Sequence, residues 1–126
     1  MKVFNAPTGH YNEKVNFVDE NNVFLGYSMA SNCCETFGWF VADKPQDNIV
    51  ERKEDDIPNL DGFAFDPTYF KEVKNSNIFY EGMMVIFRIV KGGEEKFIHL
   101  FNCQNGYYGH GFEFKVGQEI SKKGYL

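Results

Sequence analysis

Phe97-Ile98-His99-Leu100-Phe101-Asn102-Cys103-Gln104-Asn105-Gly106-Tyr107-Tyr108-Gly109-His110-Gly111-Phe112-Glu113-Phe114 is the stretch whose reading decides the fold. Asn105-Gly106 lies between two strand-prone runs, and both residues tolerate the positive φ of a type I′ turn. A two-residue loop sets the register: Cys103 across from Tyr108, Phe101 from His110, His99 from Phe112, and Phe97 from Phe114. Cross-strand partners share a face. The pattern therefore predicts an aromatic wall of Phe97, Phe101, Phe112 and Phe114 that also carries His99, Cys103, Tyr108 and His110.

Working outward, Met83 to Val90, Gly92-Gly93 and Glu94 to Asn102 read as a second hairpin with a two-residue loop. Its register sets Arg88 opposite Phe97, Ile86 opposite His99 and Met84 opposite Phe101, so these join the wall. Val85, Phe87, Ile89, Ile98 and Leu100 fall on the other face. A strand apolar on both faces is a central strand covered on two sides. Gly109 and Gly111 suggest a bulge or a close backbone approach.

Upstream, Lys14 to Val18 and Val23 to Met29 read as strands joined by the polar turn Asp19-Glu20-Asn21-Asn22. Met1 to Asn12 reads as an irregular lead-in. Asn32-Cys33-Cys34-Glu35 has capping-box spacing, and the aromatic run Phe37 to Val41 after it points to a tight bend entering a strand. Residues 43–61 form a polar insertion whose charge run Glu51-Arg52-Lys53-Glu54-Asp55-Asp56 reads as a solvated loop. Asp66-Pro67 has the chemistry of a helix start, which predicts a short helix over Pro67 to Lys74. The expected fold is one α+β, mainly β domain over residues 1–126: a twisted antiparallel sheet of five to seven strands with one short helix.

The 126 residues include 14 Phe and 7 Tyr, so the core is built of large flat side chains, which favour strands. A net charge of −5 and a pI near 5.1 argue against direct nucleic-acid binding, which needs a basic patch. No apolar stretch approaches a membrane span and no signal-peptide pattern opens the chain. Three cysteines, two of them adjacent, fit a reducing cytoplasm better than a disulfide framework.

Arg88, His99, Tyr108 and His110 are the candidate ligand-binding residues. Arginine and histidine pair with an anion, while tyrosine offers a stacking face. The competing reading is that the wall is core, with its histidines satisfied by internal partners. Cys103 beside His110 has the composition of a nucleophile and base, but a free cysteine is more often a small buried hydrophobe. No Cys-x-x-Cys or His-x₃-His spacing is present, so neither a metal nor a cofactor is expected. Glu51, Glu54, Asp55, Asp56 and Asp61 are the alternative, a partner-binding acidic surface.

Cys33-Cys34-Glu35 after a two-strand opening, with Asn105-Gly106-Tyr107-Tyr108 late in the chain, resembles small uncharacterised bacterial and phage domains carrying those two elements. In those domains a histidine often precedes the Asn-Gly pair, where this chain has Gln104. The resemblance implies a compact β-rich domain of phage or prophage type, without a particular reaction. The resulting expectation is a non-catalytic cytoplasmic binding protein, phage-encoded, that sequesters a nucleotide-like anion or blocks a host defence protein. The alternatives are a small hydrolase acting on a nucleotide or phosphoester, and a structural subunit forming a homo-oligomer.

Overall fold

A computed structural model describes residues 1–7, 13–28, 37–47, 58–74, 83–102 and 111–126. Among these the chain is built of strands: β1 (Lys2–Pro7), β2 (Glu13–Val18), β3 (Val23–Ser28), β4 (Phe37–Ala42), β5 (Ala64–Phe65), β6 (Lys71–Lys74), β7 (Met83–Lys91), β8 (Glu94–Asn102), β9 (Gly111–Val116) and β10 (Glu119–Tyr125). They make two antiparallel sheets. Sheet A runs β1-β2-β3-β9-β10, and sheet B runs β4-β8-β7-β5 with β6 also on β7.

Alternation along each strand explains how the sheets stack. Val15 and Phe17 on β2, Leu25 and Tyr27 on β3, and Phe112 and Phe114 on β9 turn to one face of sheet A and are buried. Val85, Phe87 and Ile89 on β7, with Ile98 and Leu100 on β8, do the same for sheet B. All join a single apolar cluster. Edge-to-face rings lock it: Phe17 meets Trp39 at 5.0 Å and Phe65 meets Phe114 at 5.2 Å between centroids. Two inner faces interdigitating in this way define a β-sandwich.

Polar groups also bind the layers together. The Tyr27 hydroxyl donates to the Phe101 carbonyl at 2.8 Å, and the Asn102 amide donates to the Leu126 carbonyl at 3.0 Å. The Asp19 carboxylate accepts the Asn21 and Val23 amides of the β2–β3 turn, each at 2.9 Å. It also accepts the Phe65 amide of β5 at 2.8 Å.

The β7–β8 hairpin has the register expected from Gly92-Gly93. Arg88 faces Phe97, Ile86 faces His99 and Met84 faces Phe101. Gly92 has φ of 57°, the positive value that a two-residue hairpin loop demands at its first position. β8 is central, between β4 and β7, with buried residues on both faces.

The expected pairings of His99 with Phe112 and of Phe97 with Phe114 do not occur, while Tyr107 to His110 lie outside the described residues. Both edges of β8 are already occupied, and β9 lies in the other sheet between β3 and β10. Phe97 and Phe101 therefore belong to a second cluster on the outer face of sheet B, while Phe112 and Phe114 sit between the sheets. The single aromatic wall is two separate cores. The Asn105-Gly106 turn itself lies outside the described residues. Gly111 pairs with Tyr125 of β10.

The sheet of five to seven strands is thus two five-stranded sheets, and no helix occurs among the described residues. The helix expected over Pro67 to Lys74 is instead a turn followed by β6. Asp66 does use its side chain, accepting from the Thr68 amide at 3.0 Å and the Thr68 hydroxyl at 2.6 Å. That local bonding suits a turn as well as a helix cap. Neighbouring Tyr69 and Phe70 then pack on opposite faces of sheet B, against Phe97 and Phe87 respectively. Burying two consecutive rings on two faces requires period-two geometry, so β6 extends along β7. Within the expected irregular lead-in, Lys2–Pro7 is likewise a strand, because β1 completes the edge of sheet A against β2; residues 8–12 lie outside the described residues.

Candidate functional site

The outer face of sheet B holds the two described members of the expected ligand site, and both are engaged internally. His99 is fully buried. Its Nε2 accepts the Gln46 amide at 3.0 Å, and its Nδ1 lies 3.0 Å from the Phe97 carbonyl. Those partners fix the neutral tautomer with the proton on Nδ1. The ring stacks on Phe40 at 4.2 Å, and burial pushes its pKa down to about 4. A neutral, enclosed imidazole offers no charge to an anion.

Arg88 is half-buried at the edge of the same face. Its guanidinium spans the Asp66 carboxylate at 2.9 Å and the Glu95 carboxylate at 2.8 Å. Asp66 is held below the usual carboxylate range, chiefly by its hydrogen bonds from Thr68 and then by Arg88. The cation is thus used to fasten the β5–β6 turn to β7. Tyr108 and His110 lie outside the described residues, as do Glu51, Glu54, Asp55 and Asp56. Asp61 is exposed in a tight turn, its amide donating to the Asn59 side chain at 3.0 Å.

A hollow of about 570 Å³ lies on the opposite side of the sandwich, on the outer face of sheet A. Its volume is in the range of small-ligand sites. Alternation places its walls: Lys14 and Asn16 from β2, Phe24 and Gly26 from β3, Glu113 from β9 and Lys123 from β10. Asn16, Gly26, Glu113 and Lys123 form one continuous cross-strand row. Lys14 begins the next row, opposite Ser28. With strands about 4.8 Å apart, the row spans roughly 14 Å from β2 to β10.

The floor exists because Gly26 has no side chain. The Phe24 ring folds along its own strand over that position, so a β-carbon on Gly26 would stand 2.9 Å from the ring. An aromatic ring laid over a strand glycine replaces the missing packing. The same β-carbon would lie 3.1 Å from the Asn16 amide oxygen. That oxygen is buried and has no hydrogen-bond partner.

Charge is distributed unevenly. The chain carries −5 overall, yet the outward positions of sheet A present Lys2, Lys14, Lys115 and Lys123 against Glu113. Among the described residues neither Lys14 nor Lys123 has an ion-pair partner. Among the described residues no cluster of histidine, cysteine and carboxylates could hold a metal. No described helix is long and apolar enough to cross a membrane.

The sequence reading missed this face, although its signal is present. Lys14-Val15-Asn16-Phe17-Val18 and Phe24-Leu25-Gly26-Tyr27-Ser28 alternate, and their outward sets are polar or small apart from Phe24 and Val18. Lys123 of β10 joins them only through tertiary pairing. Comparison with known proteins finds no similarity: no family model, no curated protein and no solved structure matches this chain.

Proposed function

We propose that this protein is a non-catalytic binding protein that holds a small nucleotide-like anion in the groove of sheet A. The observation that carries the reading is that Lys14 and Lys123, neither ion-paired among the described residues, flank a hollow of ligand size. Two ammonium groups supply point charges for a phosphate. The half-buried Phe24 ring supplies an apolar face for a base. The same expectation earlier rested on Arg88, His99, Tyr108 and His110, and it moves to the groove because Arg88 and His99 are occupied internally. Sequestration of the anion in a cytoplasmic setting of phage type, as the Cys33-Cys34-Glu35 resemblance implies, belongs to this reading.

Isothermal titration with adenosine 5′-monophosphate tests it. The wild-type chain is expected to bind, with affinity falling as salt rises because the pairing is exposed and screened. Lys14→Glu combined with Lys123→Glu should remove binding while leaving the melting temperature within a few degrees of wild type. Equal binding by wild type and the double variant would refute the reading.

A further inference from the structure

The orphaned Asn16 oxygen points to a specific feature of the ligand. Buried polar atoms are nearly always paired, so a buried acceptor without a partner asks for an explanation. Asn16 is not isolated in the core, where a methyl-bearing residue would do better. It sits on the outward face of β2, in the cross-strand row that holds Glu113 and Lys123, and it lines the hollow. Gly26 beside it keeps the space above the oxygen free of a side chain rooted in the floor. The ring of half-buried Phe24 lies over the same glycine: a β-carbon there would stand 2.9 Å from the ring and 3.1 Å from the Asn16 oxygen.

Resting on the groove reading above, we infer that Asn16 is a hydrogen-bonding subsite for hydroxyl groups of the ligand, closed by the Phe24 ring when the groove is empty. The ligand class is an anion that carries vicinal hydroxyls near its ring, as a ribonucleotide or sugar phosphate does. Entry turns the ring off Gly26. The ring then faces the ligand, and the exposed amide oxygen accepts from a hydroxyl. The Glu113 carboxylate, in the same row beyond Gly26, is the second acceptor, held among the described residues by a 3.8 Å pairing with Lys115. Acceptors in the middle of the groove and ammonium groups at Lys14 and Lys123 match hydroxyls and phosphate respectively. A simple anion has only the second feature.

This arrangement makes Asn16 unfavourable for the empty protein and favourable for the complex. Replacing it should move stability and binding in opposite directions, which a purely structural residue would not do. The experiment titrates wild type, Asn16→Leu and Asn16→Ala with adenosine 5′-monophosphate, its 2′,3′-dideoxy analogue and inorganic phosphate, with thermal unfolding of each variant beside it. Wild type should bind the monophosphate at least tenfold more tightly than the dideoxy analogue. In Asn16→Leu and Asn16→Ala that preference should disappear, and Asn16→Leu should melt no lower than wild type. Equal affinity of wild type for the two nucleotides overturns the subsite while leaving the anion groove intact. So does a preference that survives both substitutions, or an Asn16→Leu variant that loses stability and binding together. Absence of binding by both nucleotides and by phosphate removes the groove reading and the subsite with it.

Discussion

The carboxylate of Asp19 accepts the backbone amide of Phe65 at 2.8 Å, and this hydrogen bond joins the β2–β3 turn of one sheet to the edge strand β5 of the other. The same carboxylate closes its own turn through the amides of Asn21 and Val23. Asp19 is buried, as are its bonds to the Val23 and Phe65 amides, so those two donors have no ready substitute partner in water. An orphaned buried donor costs about 1–3 kcal/mol. Asp19→Ala should therefore destabilise the domain by about 3 kcal/mol or more, and Asp19→Asn by less, because an amide oxygen still accepts. Urea unfolding measures both. An alanine variant within about 0.5 kcal/mol of wild type, the usual size for an inconsequential surface change, would mean that the two sheets do not depend on this contact.

His99 gives the domain a pH response of defined sign. Burial holds the folded-state pKa at about 4, below the 6.5 of a free imidazole. The unfolded chain therefore takes up a proton between those values while the folded chain does not. Stability is full above pH 6.5 and declines as the pH falls toward 4, by about 3 kcal/mol over the window. Melting temperature measured from pH 7.5 to 4.5 should fall along this curve. His99→Gln should flatten the curve, and a wild-type profile flat to pH 4.5 would show that the ring is not held neutral.

Separation of the two aromatic clusters is checked by a double-mutant cycle. Phe97→Leu on the outer face of sheet B and Phe114→Leu between the sheets should each cost about 1 kcal/mol. Their effects should add within about 0.5 kcal/mol, since the residues belong to different cores. A coupling of about 1 kcal/mol or more is the signature of side chains in contact, as the hairpin pairing of Phe97 with Phe114 would make them.

Local periodicity carried much of the fold and little of the site. The β7–β8 register followed from Gly92-Gly93 and two alternating apolar runs, and the β2–β3 hairpin from the polar turn at Asp19. Both are contacts between sequence neighbours. What failed was the step from Phe101 to Phe112. Apolar alternation shows that both strands bury a face, but it does not show which sheet each joins, and β8 was already paired on both edges. The expected helix failed for a similar reason: Asp66 bonds its turn as a cap would, and tertiary burial of Tyr69 and Phe70 on opposite faces decided the outcome. The groove depends on Lys14, Asn16, Gly26, Glu113 and Lys123 meeting across β2, β3, β9 and β10. Joining β3 to β9 brings together residues more than eighty positions apart, beyond the reach of any local pattern.

Arg88 distinguishes a site on sheet B from one on sheet A. Its paired guanidinium is partly exposed, where ion pairs contribute roughly 0–1 kcal/mol. Arg88→Ala should thus lower the melting temperature only slightly and leave the affinity for adenosine 5′-monophosphate unchanged. A large loss of affinity in this variant, measured by titration calorimetry, would return the site to sheet B.

Mapping the bound nucleotide onto the backbone tests the central claim most directly. In ¹⁵N-labelled protein titrated with adenosine 5′-monophosphate, amide shifts should concentrate at Lys14, Asn16, Gly26, Glu113 and Lys123, on the outer face of sheet A. Amides of Ile86, Arg88 and Phe97 on sheet B should stay in place. Shifts centred on Arg88 and His99, or none anywhere at millimolar nucleotide, would contradict the assignment of ligand binding to the groove.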